Sequence, residues 1–190
     1  MKIAITGGIC SGKSTICDTL KRKGYFVFNS DNEAKLLANT NPQIKSEIIS
    51  LFGSESYIND EYNTQYIRNI VFNDKEKLEL LNKCFSGFIV EKYNIDSQAH
   101  KISFFESALV FEHNIQDNFD FIIGVYCDEF ETIKRLKQRN GFNDLEIDNI
   151  IKNQLNTKEK MFRCDSIINT TSGIDVVEID SLLEYIQTKI

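Results

Sequence analysis

The chain has 190 residues, 42% of them hydrophobic and 26% charged, which suits one globular domain with a sizeable core. Its 22 basic and 28 acidic residues leave a net charge of −6, which argues against a nucleic-acid coat or a membrane-surface protein, since both need a basic excess. The cysteines at 10, 17, 84, 127 and 164 form no CxxC pair and do not cluster with His100 or His113, so free thiols in a reducing cytosol are expected, not zinc ligands or disulfides.

In chain order, Ile3-Ala4-Ile5 reads as a short buried strand. Gly7 to Thr15 follows and fits G-x-x-x-x-G-K-[ST], with a helix predicted from about Lys13 to Lys23 and ending at Gly24. Strand, glycine loop and helix are the context in which backbone N–H groups curl around a phosphate and the helix points its positive end at it. The amides and side chains of Gly8, Cys10, Ser11, Gly12, Lys13, Ser14 and Thr15 are therefore candidate nucleotide contacts. Lys13 is placed to reach the β- and γ-phosphates, and Ser14 to ligate Mg²⁺. Oxidation of Cys10, inside the loop, would block nucleotide binding. No signal peptide or membrane span is expected, because the N-terminus turns into a glycine loop and no apolar run is long enough.

Tyr25 to Phe28 reads as a second strand, delivering Asp31 just past its carboxyl end, where an open α/β sheet binds ligands. Asp31 is then either a catalytic carboxylate or the N-cap of a helix over Asn32 to Asn39. The next seventy or so residues carry almost no strand signal. Pro42 opens a helix that Gly53 closes, Ser54 to Asn63 is a polar loop, and two further helical patterns carry Tyr66, Ile70 and Val71, then Leu78 to Phe88. Arg68 is the only arginine of this helical insertion, suited to anion contact or to surface charge.

Ile102 to Phe105 is a third strand and Phe119 to Cys127 a fourth. Glu106 or Asp128, at their carboxyl ends, supplies a further acid near a metal or is a solvated strand end. Glu129 to Asn140 is a helix on which Arg135 and Arg139 share a face, either to grip polyphosphate or as a solvated basic surface with Glu131 paired to Arg135. A helix capped by Asn143 with Glu146, and then Lys158 and Lys160, give residues 137–160 the cation-rich look of a lid. Ser166 to Ile168 is a fifth strand, Asn169 opens its loop, and Val176, Ile179, Leu183 and Ile186 face the core from a last helix.

Alternating strands and helices predict a three-layer α/β/α P-loop fold with a five-stranded parallel sheet. The nucleotide-binding core is expected over residues 1–28 and 102–190, and the acceptor-holding insertion over 29–101. A guanine-reading Asn-Lys-x-Asp is missing, since Asn82-Lys83-Cys84-Phe85 lacks the Asp. A small-molecule kinase accounts best for an acceptor region, a basic lid and a carboxylate after the second strand.

Taken together, these features resemble the dephospho-coenzyme A kinase family. Thr6 to Thr15 is similar to its T-G-G-I-G-S-G-K-S-T, and Asn29-Ser30-Asp31 to its D-x-D. Ile67 to Phe72 is similar to its L-R-x-x-V-F, Ala108 to Glu112 to its P-L-L-F-E, and Asp165 to Asn169 to its D-x-x-I-x-N; Gln154 falls at a lid position. The departures are Asn29 for the first Asp, Ser86-Gly87 for a His-Pro, Ala108 for a proline, and Lys160 for a lid arginine. The resemblance implies a cytoplasmic enzyme with no nucleic-acid or membrane partner, which moves the ATP γ-phosphoryl onto the ribose 3′-hydroxyl of dephospho-CoA. Lys13, Asp31 and Arg139 would be catalytic; Arg135, Arg139 and Asn169 would contact ATP, Ser14 would hold Mg²⁺, and Arg68 and Glu106 would join Asp31 at the acceptor. The residues alone leave another small hydroxyl acceptor, such as a nucleoside or nucleotide, open.

Overall fold

The computed structural model describes residues 1–72, 74–140 and 157–190, apart from the side chains of Arg139 and Asn140. It divides the chain into two compact units, Met1–Phe28 with Ser97–Ile190, and Asn29–Asp96.

The first unit is built on a five-stranded parallel sheet of β1 (Lys2–Gly7), β2 (Phe26–Asn29), β5 (Ser103–Glu106), β6 (Phe121–Tyr126) and β7 (Ser166–Asn169), in the order β2-β5-β1-β6-β7. β1 is central because it is apolar on both faces. Ile3 and Ile5 point to one side, where α1 (Lys13–Arg22) supplies Ile16, Cys17 and Leu20, and the last helix α8 (Val176–Gln187) supplies Ile179, Leu183 and Ile186. Ala4 points to the other and meets Val110, Phe111 and Ile122. Val176, expected in the core, is 48% exposed, because the chain enters α8 there and Asp175 caps it.

On the Ala4 side, α7 (Thr157–Phe162) packs on β6. Gly124 permits this: a Cβ there would lie 2.7 Å from Met161 Sδ and 2.9 Å from Cys164 Sγ. Lys160, expected on a cation-rich lid surface, is instead buried at 1% exposure. Its Nζ donates to Glu112 Oε1 and to the Ala108 carbonyl oxygen, both at 2.7 Å. The Ala108-to-Glu112 segment is thus a seat for Lys160 on the inside of the fold. Asp165 closes the same region by accepting from Ile122 N at 2.7 Å. Residues 141–156 of the expected lid, with Asn143, Glu146 and Gln154, lie outside the described residues.

The second unit is helical: α2 (Ser30–Thr40), α3 (Pro42–Phe52), α4 (Thr64–Val71) and α5 (Lys75–Asp96), packed around Ala38, Ile44, Ile48, Phe52, Ile67, Phe85, Ile89 and Tyr93. Asn41, Pro42 and Gly53 begin and end α3 as their residue types dictate, with Asn41 Oδ1 accepting from Gln43 N and Ile44 N. The polar stretch read as a loop contains a small hairpin, β3 (Tyr57–Ile58) with β4 (Glu61–Tyr62). Its turn residues Asn59 (φ 51°) and Asp60 (φ 73°) both take the left-handed conformation that a two-residue hairpin turn requires. Tyr57 anchors it by donating to the Ala38 carbonyl oxygen at 2.7 Å, and Lys45 pairs with Asp60.

Removing one partner of a buried ion pair leaves the other charge uncompensated, at about 3–5 kcal/mol. Lys160→Met and Glu112→Gln are each expected to lower the free energy of unfolding in urea by about that amount. Lys160→Met with Glu112→Leu should recover most of the loss; full additivity of the two single losses would show that the pair is uncoupled.

Candidate active site

The phosphate loop, residues 7–12, connects the carboxyl end of β1 to α1. Gly7 is fixed by close approach, since a Cβ there would lie 2.3 Å from the Val125 carbonyl oxygen on β6. Gly12 sits at φ 95° as the residue that caps α1, and no side chain caps the helix. No acidic residue occupies the first turn either, so the positive helix end and its unspent N–H groups are presented to a ligand. Cys10 also takes the left-handed conformation, φ 54°, although it carries a side chain. That costs about 1–2 kcal/mol relative to glycine at the same angles.

Two residues far along the chain hold the loop. Thr170, fully buried just after β7, donates from Oγ1 to the Ser11 carbonyl oxygen at 2.6 Å. Arg135, on α6 (Glu129–Asn140), donates from Nη1 to the Cys10 carbonyl oxygen at 3.4 Å and from Nη2 to the Thr170 carbonyl oxygen at 2.6 Å. Its Nε donates to Glu131 Oε1 at 3.2 Å, and Nη1 also reaches Thr170 Oγ1 at 3.3 Å. In a trans peptide the C=O and the following N–H point in opposite directions. Drawing the Cys10 and Ser11 carbonyls toward Arg135 and Thr170 therefore turns the succeeding amides away from them.

Arg135 pairs with Glu131, as one reading expected, and its guanidinium also reaches the carbonyl oxygen of Cys10 in the loop. The hydrogen bond from Lys134, and after it that from Arg135, holds the partly buried Glu131 carboxyl below the usual carboxylate range. Thr170 was not among the expected residues. The one signal for it was position, directly after a strand whose carboxyl end lies on the ligand side of the sheet.

Lys13 Nζ donates to the carbonyl oxygens of Gly7 at 3.0 Å and Gly8 at 2.8 Å, folded back over the loop. The side chains of Ser14 and Thr15 are exposed beside it. The Ser11 side chain is buried, so this residue offers the site its backbone. Glu106 ends β5 in register with Ile5 of β1 and is 8% exposed, and its charge acts on the buried thiol of Cys17. Burial, and then the charge of Glu106, push that thiol well above its ordinary value.

The remaining candidates are placed as follows. Asn169 is exposed at the end of β7 and accepts from Thr171 N at 3.0 Å, making a local turn. Asp128, weighed as a metal-shell acid, caps α6 by accepting from Glu131 N at 2.7 Å. Arg139 lies one turn beyond Arg135 on α6, its side chain outside the described set. In the helical unit, Asp31 is exposed in the first turn of α2 and Arg68 is exposed in the last turn of α4. Asp31 is not the cap of α2. Asn29 is, its Oδ1 accepting from Asn32 N at 2.8 Å. Asn and Asp cap helices about equally well, so Asn29 keeps the turn that the aspartate it replaces would make.

A family model described as dephospho-CoA kinase matches residues 1–175. A relative from Fusobacterium nucleatum named dephospho-CoA kinase is 33% identical over 178 residues, covering 92% of each chain. Among solved structures, TT1252 from Thermus thermophilus superposes with a TM-score of 0.82 at 23% identity, over 100% of this chain and 97% of that one. A dephospho-CoA kinase from Campylobacter jejuni gives 0.68 at 23%, over the full length of both. At such identities the structures establish the shared three-layer α/β fold.

Thr170→Val keeps the volume but removes the hydroxyl that holds Ser11, and should destabilise the fold by about 1–3 kcal/mol and raise the KM for ATP. Thr170→Ser should restore both, and an unchanged KM in the valine variant would separate the clamp from nucleotide binding. Cys10→Gly should be at least as stable as the parent by thermal unfolding, by up to about 1 kcal/mol, because relief of the left-handed strain outweighs the added chain entropy. Cys10→Val, β-branched at positive φ, should be less stable than both.

Proposed function

The chain belongs to the dephospho-CoA kinase family, and we propose how its own residues carry out the family's reaction, transfer of the ATP γ-phosphoryl to the ribose 3′-hydroxyl of dephospho-CoA to give coenzyme A and ADP. The observation that carries the donor half is the loop held by its carbonyls: Arg135 and Thr170 take those of Cys10 and Ser11 while the Ser11 amide donates to the Gly8 carbonyl oxygen at 3.3 Å, which supports the Gly12 amide and the uncapped start of α1 as the groups turned toward phosphate. The acceptor half rests on family membership.

In this reading the backbone of Gly8, Cys10, Ser11, Gly12, Lys13, Ser14 and Thr15 cradles the phosphates of ATP. Lys13 exchanges the Gly7 and Gly8 carbonyls for the β- and γ-phosphates, a short swing of a flexible cation already at the loop. Arg135 braces the loop and Arg139, one turn further on, reaches the transferring group as its charge spreads. Asn169 borders the nucleotide from the β7 loop. Asp31 orients the ribose hydroxyl or takes its proton, Arg68 meets acceptor phosphate, and Glu106 faces the acceptor from β5.

A phosphate-borne Mg²⁺ keeps most of its water and needs only one or two protein oxygens. The exposed Ser14 hydroxyl, next to Lys13 in the first turn of α1, suits that demand. Among the described residues no cluster of three or more His, Cys, Asp or Glu stands ready to cage an ion, and none is required. Ser14 would hold the ion, whose charge, when bound, offsets that of the phosphates. Among the described residues no helix is long and apolar enough to cross a membrane. We place the enzyme in the cytoplasm, acting on small molecules without a nucleic-acid partner.

Phosphoryl transfer depends mainly on positioning and electrostatics, with a positioned base adding roughly 10²–10⁴-fold. Asp31→Asn should therefore lower kcat by about 10²–10⁴ with the KM for ATP little changed, measured as ADP release. Near-parental turnover would remove Asp31 from the chemistry. The acceptor is tested by ADP formation from Mg-ATP with dephospho-CoA beside a panel of nucleosides and nucleoside monophosphates. Stimulation by dephospho-CoA with coenzyme A as product is expected; turnover with a panel member alone would overturn the acceptor.

A further inference from the structure

We propose that Asp128 and Glu131 are positioning residues for the donor site, holding Arg135 against the phosphate loop through a closed ring of hydrogen bonds. The ring runs Thr171, Asp128, Glu131, Arg135, Thr170. This rests on the reading above in which Arg135 braces the loop for ATP.

The ring can be followed bond by bond. Thr171 Oγ1 accepts from the backbone N–H of Asp128 at 3.0 Å, which ties the corner between β6 and α6 to the loop after β7. Asp128 Oδ1 accepts from the backbone N–H of Glu131 at 2.7 Å and so caps the start of α6. Glu131 Oε1 accepts from Arg135 Nε at 3.2 Å, one turn along the same helix. Arg135 Nη2 donates to the Thr170 carbonyl oxygen at 2.6 Å, and the peptide bond from Thr170 to Thr171 closes the circuit.

Each member removes one freedom that Arg135 would otherwise have. Asp128 sets where α6 begins, because its amide is held by the β7 loop while its carboxylate holds the helix. Glu131 sets the rotation of the planar guanidinium. By taking Nε–H it leaves Nη1 to Cys10 and Nη2 to Thr170, the two carbonyls that the loop and its neighbour present. Glu four residues before a cation is the favourable order for a pair on one helix face. The other oxygen of Glu131 accepts from Lys134 Nζ at 3.0 Å, so the carboxylate is itself held from both sides. Glu131 and Arg135 are 21% and 25% exposed, which screens their pairing less than on an open surface. These bonds of the two carboxylates lie within α6, so their effect on nucleotide passes through Arg135.

The test is calorimetric titration of the full chain with Mg-ADP, which reports the donor site without an acceptor, beside kinetics with ATP. Loss of a hydrogen bond to a charged group should make Glu131→Ala bind ADP about 10-fold more weakly. Asp128→Ala and Thr171→Val, which break the ring at the helix start, should each weaken ADP about fivefold. Asp128→Asn and Glu131→Gln keep an acceptor oxygen and should stay within about threefold of the parent. In all of these kcat at saturating ATP should change by less than about twofold, and in an Arg135→Gln background Glu131→Ala and Asp128→Ala should add less than about twofold in Kd. Parental ADP affinity with a lowered melting temperature in Glu131→Ala and Thr171→Val would overturn the proposal and leave the ring as helix stabilisation, as would losses that multiply fully in the double variants. Parental ADP affinity in Arg135→Gln itself would instead remove the premise that Arg135 serves the donor site, and the proposal would fall with it.

Discussion

A backbone that binds phosphate through its amides must find other partners for its carbonyls. In this chain the solution is the Arg135–Thr170 clamp. Thr170 takes the Ser11 carbonyl and Arg135 that of Cys10, while Arg135 is itself held by Glu131 and by the Thr170 backbone. One guanidinium thus joins α6, the β7 loop and the phosphate loop, which its planar array of donors can do and a lysine ammonium cannot. The hydroxyl is fully buried, so its bonds are shielded from water and leave the loop little freedom to turn its amides elsewhere.

The rest of the first unit serves to bring those three segments together. β1 and β6 run side by side, and β6 carries β7 on its other edge, so the loops after β1 and β7 emerge at the same end of the sheet. The opposite layer is fastened by an ion pair and not by apolar contact alone. Lys160 lies in the interior against Glu112 and the Ala108 carbonyl. A lysine there is tolerated because its ammonium has both a charge partner and a neutral acceptor. A position that reads in sequence as one more cation on a lid is thereby a structural fastening.

The departures from the family pattern divide according to what the backbone asks for. Asn29 for aspartate is silent locally, because an N-cap needs an acceptor oxygen and not a charge. Cys10 for glycine is not silent, because the backbone there remains left-handed and the side chain must live with it. Loops that bind ligands are places where such local strain persists, held by surrounding contacts; here the bond from Arg135 to the Cys10 carbonyl is one of them.

Local chemistry was legible in the order of residues. The phosphate loop, the core strands, the start and stop of α3 at Pro42 and Gly53, and the span of α6 follow from periodicity and from residues with one conformational use. The small hairpin was missed because its strands are two residues long, although Asn59-Asp60 is a turn pair of the right kind. What only the tertiary structure decided are the contacts between distant positions. Thr170 meets Ser11 across 159 residues, Arg135 meets Cys10 across 125, and Lys160 meets Glu112 across 48. Their partners depend on the order in which the strands lie side by side and on which face each helix covers. A single chain's residue pattern specifies which side of a helix or strand is buried, but not against what; that is settled only when the whole sheet has packed.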